Sequence, residues 1–514
     1  MEERLHLSDL VYLSPELTLV IAAVIISVLD LILPNKVNRT ILGWLSIISL
    51  MISTAFVIHY MRLLNLSEDP LVPVQLLNLS YRVDDFANLF KLIFLVGTIF
   101  ILFMSIGSIK KEDIHHRGEY YYLFLPATLG AMIMASSGDL ITLYVGLELL
   151  SITSYIMVGI RKGNTKTNEA SFKYIVVGGI ASAFILYGMS FLYGLSGSTN
   201  LNEINQALQF SDSSFELMIF VSFMLIIAGL GTKIAAAPFH TWAADVYQGA
   251  ATPVTAYLAT VSKAAGFAML FRLVYLVYYG VGGQEQSPIF LDLFMIILII
   301  AATAMILGNA LALKQRNVKR LLAYSGVANA GYLLVPIGIG LHSQVPHSSN
   351  FSELYFYLIA YLFMNLGAFA VLMAIERTTG NDELKGFAGL YYRAPYTAFA
   401  VVILLLSLAG LPVTGGFIGK VFILLAALQV KAYWLAIVMI LTSVISFYYY
   451  FSIIRQMFMR TNFEAGSNKL KLTAPICITI WISTVVTIIL GFFPQYVLSY
   501  INNIFTIGTD FFIR

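Results

Sequence analysis

The sequence predicts an all-α integral membrane protein of about fourteen transmembrane helices, with two inverted five-helix repeats and discontinuous helices 7 and 12. Three observations predict it. Of the 514 residues, 59% are hydrophobic and only 11% charged, whereas a soluble domain carries about 25% charged residues. Apolar segments near the length of one bilayer crossing, about 20 residues, recur along the whole chain. Two of these segments are too long for one straight crossing, and each is interrupted by proline or glycine.

The expected spans are 15–33, 40–62, 86–108, 120–136, 139–160, 168–194, 215–244, 253–279, 289–312, 321–340, 352–376, 395–430, 432–458 and 473–500. The first three form an N-terminal segment over residues 1–110, and the last lies in a C-terminal segment over 461–514. Between them, residues 111–285 hold spans four to eight and residues 286–460 hold spans nine to thirteen. The seventh span contains AAAPFH at 235–240 and the twelfth contains AGLPVTGG at 409–416. Interrupted segments in matching places point to helices broken at membrane depth. The breaks are five spans apart, an odd offset, so the second runs opposite to the first. Inverted repeats follow from that parity.

Loop charge sets the expected orientation. With alternating spans and the first residue outside, the inside loops hold Lys36, Arg39, Lys110, Lys111, Arg117, Arg161, Lys162, Lys166, Lys314, Arg316, Lys319, Arg320, Arg377, Lys385, Arg393, Arg455, Arg460, Lys469 and Lys471, nineteen of the 30 Lys and Arg. Outside regions hold Arg4, Arg62, Arg82, Lys431 and Arg514. This asymmetry agrees with the excess of cations in cytoplasmic loops and places both termini outside. The opening residues MEERLHLSDL carry no signal-peptide pattern. A net charge of +3 is too small to suggest nucleic acid, and the single cysteine, Cys477, excludes a disulfide framework or a Cys-rich metal or iron–sulfur site.

The spans themselves carry Lys91, Lys173, Lys233, Lys263, Arg272, Lys420 and Glu148. Each costs about 2.5–3.5 kcal/mol at a helix centre on insertion scales. They must pair, reach water or lose their charge. Glu148, in ITLYVGLELLS, is either half of a structural ion pair or an acid acting on a nearby lysine. Lys233 precedes the first break, where unwound backbone admits water; its alternative is to snorkel. Lys263 is central in the next span. Lys420 follows GLPVTGGFIG and is the expected counterpart of Lys233 in the other half. Lys173 lies nearer the inside face and can snorkel, and Lys91 and Arg272 read as structural. His240 can bridge Lys233 and Lys263 as a relay, or cap the broken-helix carbonyls. The other histidines, His6, His59, His115, His116, His342 and His347, fall at ends and loops. Thr232, Thr241, Thr252, Thr255, Thr260 and Ser262, with Tyr324, Ser325 and Asn329 in the second half, can hold water chains or merely pack helices.

Long stretches of the chain resemble a known family. LYVGLELLS, EASFKYIVVGGIASAFILYG, KIAAAPFHTWAADVYQGAATPVTAYLATVSKAAGFAMLFR, NALALKQRNVKRLLAYSGVANAGYLL and LAGLPVTGGFIGKVF are similar to the antiporter-like membrane subunits of respiratory complex I, over most of residues 80–460. The resemblance implies a proton-translocating subunit of an NADH:quinone oxidoreductase in a bacterial cell membrane. Its partners would be the other membrane subunits and the lipid bilayer, with flavin (FMN), iron–sulfur clusters and quinone held by partner subunits. It implies a proton path through Glu148, Lys173, Lys233, Lys263 and Lys420, with Glu148 and Lys233 as a pair. One departure is Asn329, where the family often has a histidine; an amide or water route would then replace a titrating group. The rival readings are a cation/proton antiporter subunit of a multi-subunit system, a passive membrane scaffold and a substrate symporter.

Overall fold

A computed structural model describes residues 9–34, 36–66, 74–109, 113–211, 213–281, 287–340, 349–460, 470, 472–505 and 511. The expectations for Arg4, His6, Lys110, Lys111, His342, His347, Lys469, Lys471 and Arg514 lie outside the described residues, as do the segment boundaries at 110/111 and 285/286.

The apolar segments fold as the expected crossings. In chain order they are α1 (Ser14–Ile32), α2 (Thr40–Leu66), α3 (Asp85–Ser105), α4 (Phe124–Ser136), α5 (Leu140–Val158), α6 (Thr165–Ser196), α7, α8 (Thr252–Tyr278), α9 (Pro288–Ala312), α10 (Val318–Gly338), α11 (Asn350–Thr379), α12, α13 (Tyr433–Met459) and α14 (Ala474–Phe492). Both predicted breaks are present. The seventh helix consists of α7a (Glu216–Lys233) and α7b (Ala243–Gly249), and the twelfth of α12a (Pro395–Ala409) and α12b (Gly415–Gln429). Local chemistry marks the ends. Asp84, Asp139, Asn164 and Asn317 cap α3, α5, α6 and α10 by accepting hydrogen bonds from first-turn amides. Gly410, with φ +93°, ends α12a in the left-handed region that glycine enters without strain.

The fourteenth span differs from expectation. It stops at Phe492, and Pro494 starts a separate helix, Pro494–Ile504, because proline has no amide to continue α14. That short helix buries only Leu498 and Ile501, while Tyr496 and Tyr500 stay exposed, the pattern of a helix lying along an interface. A hairpin of β1 (Val74–Leu76) and β2 (Tyr81–Val83), and an amphipathic helix at Leu201–Gln209, were not expected from the sequence. The latter is tied down by Asn205, whose amide donates to the carbonyls of Val277 and Tyr279 at the end of α8.

Three helices form the centre. Of their apolar spans, 94% is buried in α8, 94% in α10 and 89% in α11, against 22% in α1 and 33% in α13. The broken helices therefore flank an internal column of α8, α10 and α11. Without a hydrophobic drive between helices in lipid, contact is made by small residues. A Cβ on Gly308 of α9 would lie 2.4 Å from the backbone nitrogen of Ala328 in α10.

The face of the bundle reached by the C-terminal ends of α7b, α9, α11 and α13 is strapped by backbone bonds, Val318 to Asp382, Leu384 to Arg316 and Gly389 to Gln456. It carries the described residues of the loops that the charge count placed inside, and is called the basic face below. Lys319 departs from that count by its burial. It is not a loop cation but is 1% exposed in the first turn of α10.

Two of the intramembrane cations are consumed by structure. Lys91 of α3 pairs with Glu16 of α1 at 2.9 Å, and Arg272 of α8 donates to both carboxylate oxygens of Asp84 at 2.9 Å. Arg82 stands 3.5 Å from the same carboxylate. Arg272→Met removes the two-toothed partner and leaves a buried carboxylate under-compensated, a loss of about 3 kcal/mol. The expected result is a lower thermal midpoint and less assembled protein, partly restored by adding Asp84→Asn, measured by native electrophoresis and thermal unfolding in detergent.

Candidate functional site

Three of the remaining lysines, Lys233, Lys263 and Lys420, form no ion pair among the described residues. Lys233 is the last residue of α7a. Its ammonium donates to Ser151 at 2.7 Å, to the Tyr155 hydroxyl at 3.2 Å and to Ser182 at 3.3 Å. Ser151 and Tyr155 follow Glu148 on α5 at three and seven residues, so all three project from one helix face. Lys233 and Glu148 are thus neighbours on that face without a direct ion pair among the described residues. The Glu148 Oε1 atom is buried and has no hydrogen-bond partner. The resemblance implied a Glu148–Lys233 pair. In this conformation hydroxyls stand in its place, and the acid has an acceptor free.

Lys263 is 2% exposed. It follows a π-helical turn at Leu258–Ser262 and donates to the carbonyl of Gly326 in α10 at 2.6 Å. A side chain at residue 326 would crowd it, since a Cβ there would sit 3.0 Å from the Lys263 ammonium. The Tyr361 ring of α11 lies 5.7 Å from the same nitrogen, close enough for its π face to attract the cation. A π turn widens a helix by one residue per turn and commonly marks a functional position.

Lys420 solves the same problem through the break. From α12b it reaches back to the last carbonyls of α12a, Leu408 at 2.9 Å and Ala409 at 3.1 Å. These carbonyls have lost their helical partners and form the negative end of a helix dipole. The Tyr332 ring lies 4.9 Å away, and a cavity of about 190 Å³ with Ser443 and Met439 on its wall opens beside the ammonium. Lys420 and Lys233 are therefore counterparts only in being next to a break. Lys233 precedes its break and faces α5 and α6, whereas Lys420 follows its break and folds back on it.

Polar side chains on the central column run between Lys263 and Lys420. Ser325, next to Gly326, shares a hydrogen bond with the Tyr450 hydroxyl. Asn329 donates to the Ser325 carbonyl at 2.9 Å and accepts from the Tyr357 hydroxyl at 2.6 Å. Tyr332 donates to the Met439 carbonyl at 2.9 Å and meets Thr442 at 3.0 Å. Of the three sequence candidates here, Ser325 and Asn329 join this network. Tyr324 instead faces His240, ring centroids 6.2 Å apart.

His240 is buried, its Nδ1 unpartnered, and it bonds to neither Lys233 nor Lys263. The expected bridge is not made in this conformation. Lys173 is also placed differently from the deep lysines. Its side chain is 40% exposed and pairs with Glu169 at 2.7 Å and Asp245 at 2.6 Å. A set of three rings begins at Tyr155, which meets Lys233. Tyr174 stacks on Trp242 at 4.7 Å and meets Tyr155 edge-on at 4.7 Å.

Sequence reasoning missed two groups at the basic face. Asp245 of α7b is shared by Lys173 of α6 and Arg320 of α10. Lys319 pairs with Glu376 at the end of α11, 3.3 Å, and Glu376 also accepts from Thr252 at the start of α8. The available signal was the presence of lone acids, in HTWAADVYQ and AIERTTG, beside the adjacent cations of NVKRLLAY.

Residues 137–446 match a family model described as NADH:quinone oxidoreductase/Mrp antiporter, TM. The chain is 52% identical to NADH-quinone oxidoreductase subunit N of Paenibacillus sp. (strain JDR-2), over 98% of each chain. It is 43% identical to the protein of that name from Bacillus anthracis, over 97% of this chain and 96% of that one. Among solved structures it resembles a chain of respiratory complex I from Thermus thermophilus, with TM-score 0.76, 29% identity and coverage of 94% and 98%. A chain of the Mrp complex from Dietzia sp. DQ12-45-1b shares the fold, with TM-score 0.81 at 19% identity and coverage of 98% and 99%. The broken helices and the deep lysines lie within the matched span, and the chain belongs to the family of antiporter-like membrane subunits shared by NADH:quinone oxidoreductase and Mrp antiporters.

Proposed function

We propose that this chain is a proton-translocating membrane subunit of a bacterial NADH-quinone oxidoreductase, working beside the other membrane subunits of that complex. The observation that carries the reading is the set of three deep lysines, Lys233, Lys263 and Lys420, held by hydroxyls and carbonyls rather than by carboxylates. An ammonium held in this way can give up its proton without leaving a buried carboxylate behind. The hydrogen-bonded set of Ser325, Asn329 and Tyr357, with Tyr332 beyond it against Lys420, supports a route between two of them.

In this reading the basic face is cytoplasmic and both termini lie outside. Helices α4–α8 and α9–α13 are the two inverted repeats. Lys173 and Asp245 stand at the uptake side of the first repeat, with His240 near the path at the break. Glu148 is the acid that Lys233 joins when it leaves Ser151. A change in that pair alters the field at Lys263, which passes a proton along the column to Lys420 for release at the far side. NADH oxidation and quinone reduction belong to partner subunits carrying FMN, iron–sulfur clusters and quinone. One cysteine supports that division, because a cluster needs about four thiolates.

The primary test is NADH-driven acidification of inverted membrane vesicles at equal complex content. Lys233→Ala is expected to lower both electron transfer and acidification by at least about tenfold, the scale for removing a member of a concerted set. Unchanged acidification would leave the scaffold reading in its place, and sodium-driven proton exchange without NADH would favour the antiporter reading. A second variant checks the column. Asn329→Leu removes the acceptor of Tyr357 and the donor to Ser325, and is expected to slow acidification by about tenfold, whereas Asn329→His, which can hold both bonds, keeps most of it.

A further inference from the structure

We propose that Glu376 and Lys319 form a separate proton-loading site that feeds Lys263 directly from the basic face, bypassing Glu148 and Lys233. The proposal rests on the reading of Lys263 as a proton carrier and adds a second uptake point to it.

The outermost of the three groups is the exposed one and the other two are buried. The Glu376 side chain is 26% exposed, that of Lys319 is 2% exposed, and Lys263 behind them is 2% exposed. Glu376 is thus the only one of the three that touches the surrounding solvent to any extent. One of its carboxylate oxygens receives Lys319 at 3.3 Å, the other the Thr252 hydroxyl. Lys319 also donates to the Ala250 carbonyl at 3.3 Å. The site is therefore assembled from the start of α8, the start of α10 and the end of α11, the three central helices.

The same three helices hold Lys263. It stands on α8, its ammonium is on the Gly326 carbonyl of α10, and the Tyr361 ring of α11 lies against it. Gly326 follows Lys319 by seven residues, so the two share a face of α10 about 10 Å apart along the axis. Tyr361 and Glu376 differ by fifteen residues, about 22 Å along α11 and about 60° around it. The Lys319 ammonium is held at Ala250 and Glu376 and that of Lys263 at Gly326, so a chain of several waters spans the roughly 10 Å between their levels.

The step balances without a co-reactant. The Glu376 carboxylate takes a proton from water at the basic face and becomes neutral. Lys319, now without its counter-charge, releases its proton inward to the neutral amine of Lys263, forming one N–H bond as another breaks. Glu376 then returns its proton to the Lys319 amine, and the carboxylate–ammonium pair is restored. Arg161 and Asp382 are the other charged groups that act on the pair, and Thr252 is its hydroxyl partner.

The test uses the assembled complex in inverted vesicles, with NADH-driven acidification and NADH oxidation followed across pH for Glu376→Gln, Glu376→Asp, Lys319→Met, Thr252→Val and Lys263→Ala. Glu376→Gln and Lys319→Met are expected to lower acidification per complex by at least about tenfold. Glu376→Asp should recover much of it, and Thr252→Val should displace the pH profile while assembly is normal. If Glu376→Gln assembles and pumps with an unmoved pH profile while Lys263→Ala is inactive, this site is wrong and Lys263 keeps its role. If Lys263→Ala itself pumps normally, the underlying reading falls and this one with it. Where Glu376→Gln fails to assemble, the Thr252→Val profile decides, and an unmoved profile overturns the proposal.

Discussion

An ammonium group inside a bilayer must be solvated by something, and the rest of this structure follows from where the solvating atoms come from. Water is absent from the hydrocarbon, and a regular helix keeps its carbonyls for itself. The chain answers in two ways. Where a cation serves as a fixed joint it is given a carboxylate, as Glu16 is given to Lys91 and Asp84 to Arg272. Where it does not, it is given hydroxyls or carbonyls: Ser151, Tyr155 and Ser182 for Lys233, Gly326 for Lys263, and Leu408 and Ala409 for Lys420. The division is chemical. A carboxylate sealed from solvent, as Asp84 is, neutralises a cation and fixes it, whereas neutral acceptors hold its charge weakly enough for protonation to change.

The break in the twelfth helix is thus more than a kink. It supplies the carbonyls that Lys420 needs, and Ser443 and Ser446 also reach the Ala409 carbonyl, each at 3.3 Å. Glycine at 410 allows the chain to turn there, with φ +93°. The break in the seventh helix has a different use. It sets α7b apart as a short element fastened to both halves, by Thr167 to the Gly249 carbonyl at 2.7 Å and by Arg320 to Asp245. A movement of α7b would be felt by α6 and α10 together, and Lys233 sits at the other end of the same break.

The crossings and their interruptions were legible in the sequence because they depend on local chemistry. Apolar length sets the spans, and Pro238, Gly410 and the glycines at 415 and 416 fall where the helices divide. The roles of Lys91 and Arg272 as structural cations were legible too, but not their partners. Partners come from remote parts of the chain: Asp84 and Arg272 are 188 residues apart, and Lys319 and Glu376 are 57 apart. Charge counting put Lys319 in a loop because it stands at the end of an apolar run. Only packing shows that α8 and α11 close over it. The end of α14 at Phe492 was missed for the opposite reason, since hydropathy continues past the point where Pro494 ends the hydrogen-bond ladder.

Asn329 shows how far a single position can be read. An amide cannot titrate, so its presence where the resembling family often has a histidine seemed to interrupt a chain of proton carriers. The geometry gives it another part. Its oxygen accepts from Tyr357 while its nitrogen donates to the Ser325 carbonyl, so it holds two polar groups of different helices in register between Lys263 and Lys420. A group that orients a hydrogen-bonded route need not carry the proton itself, provided that water or hydroxyls do. In the proposed path the titrating work then falls on the lysines, which are held by neutral acceptors, and the column between them is left with the task of alignment.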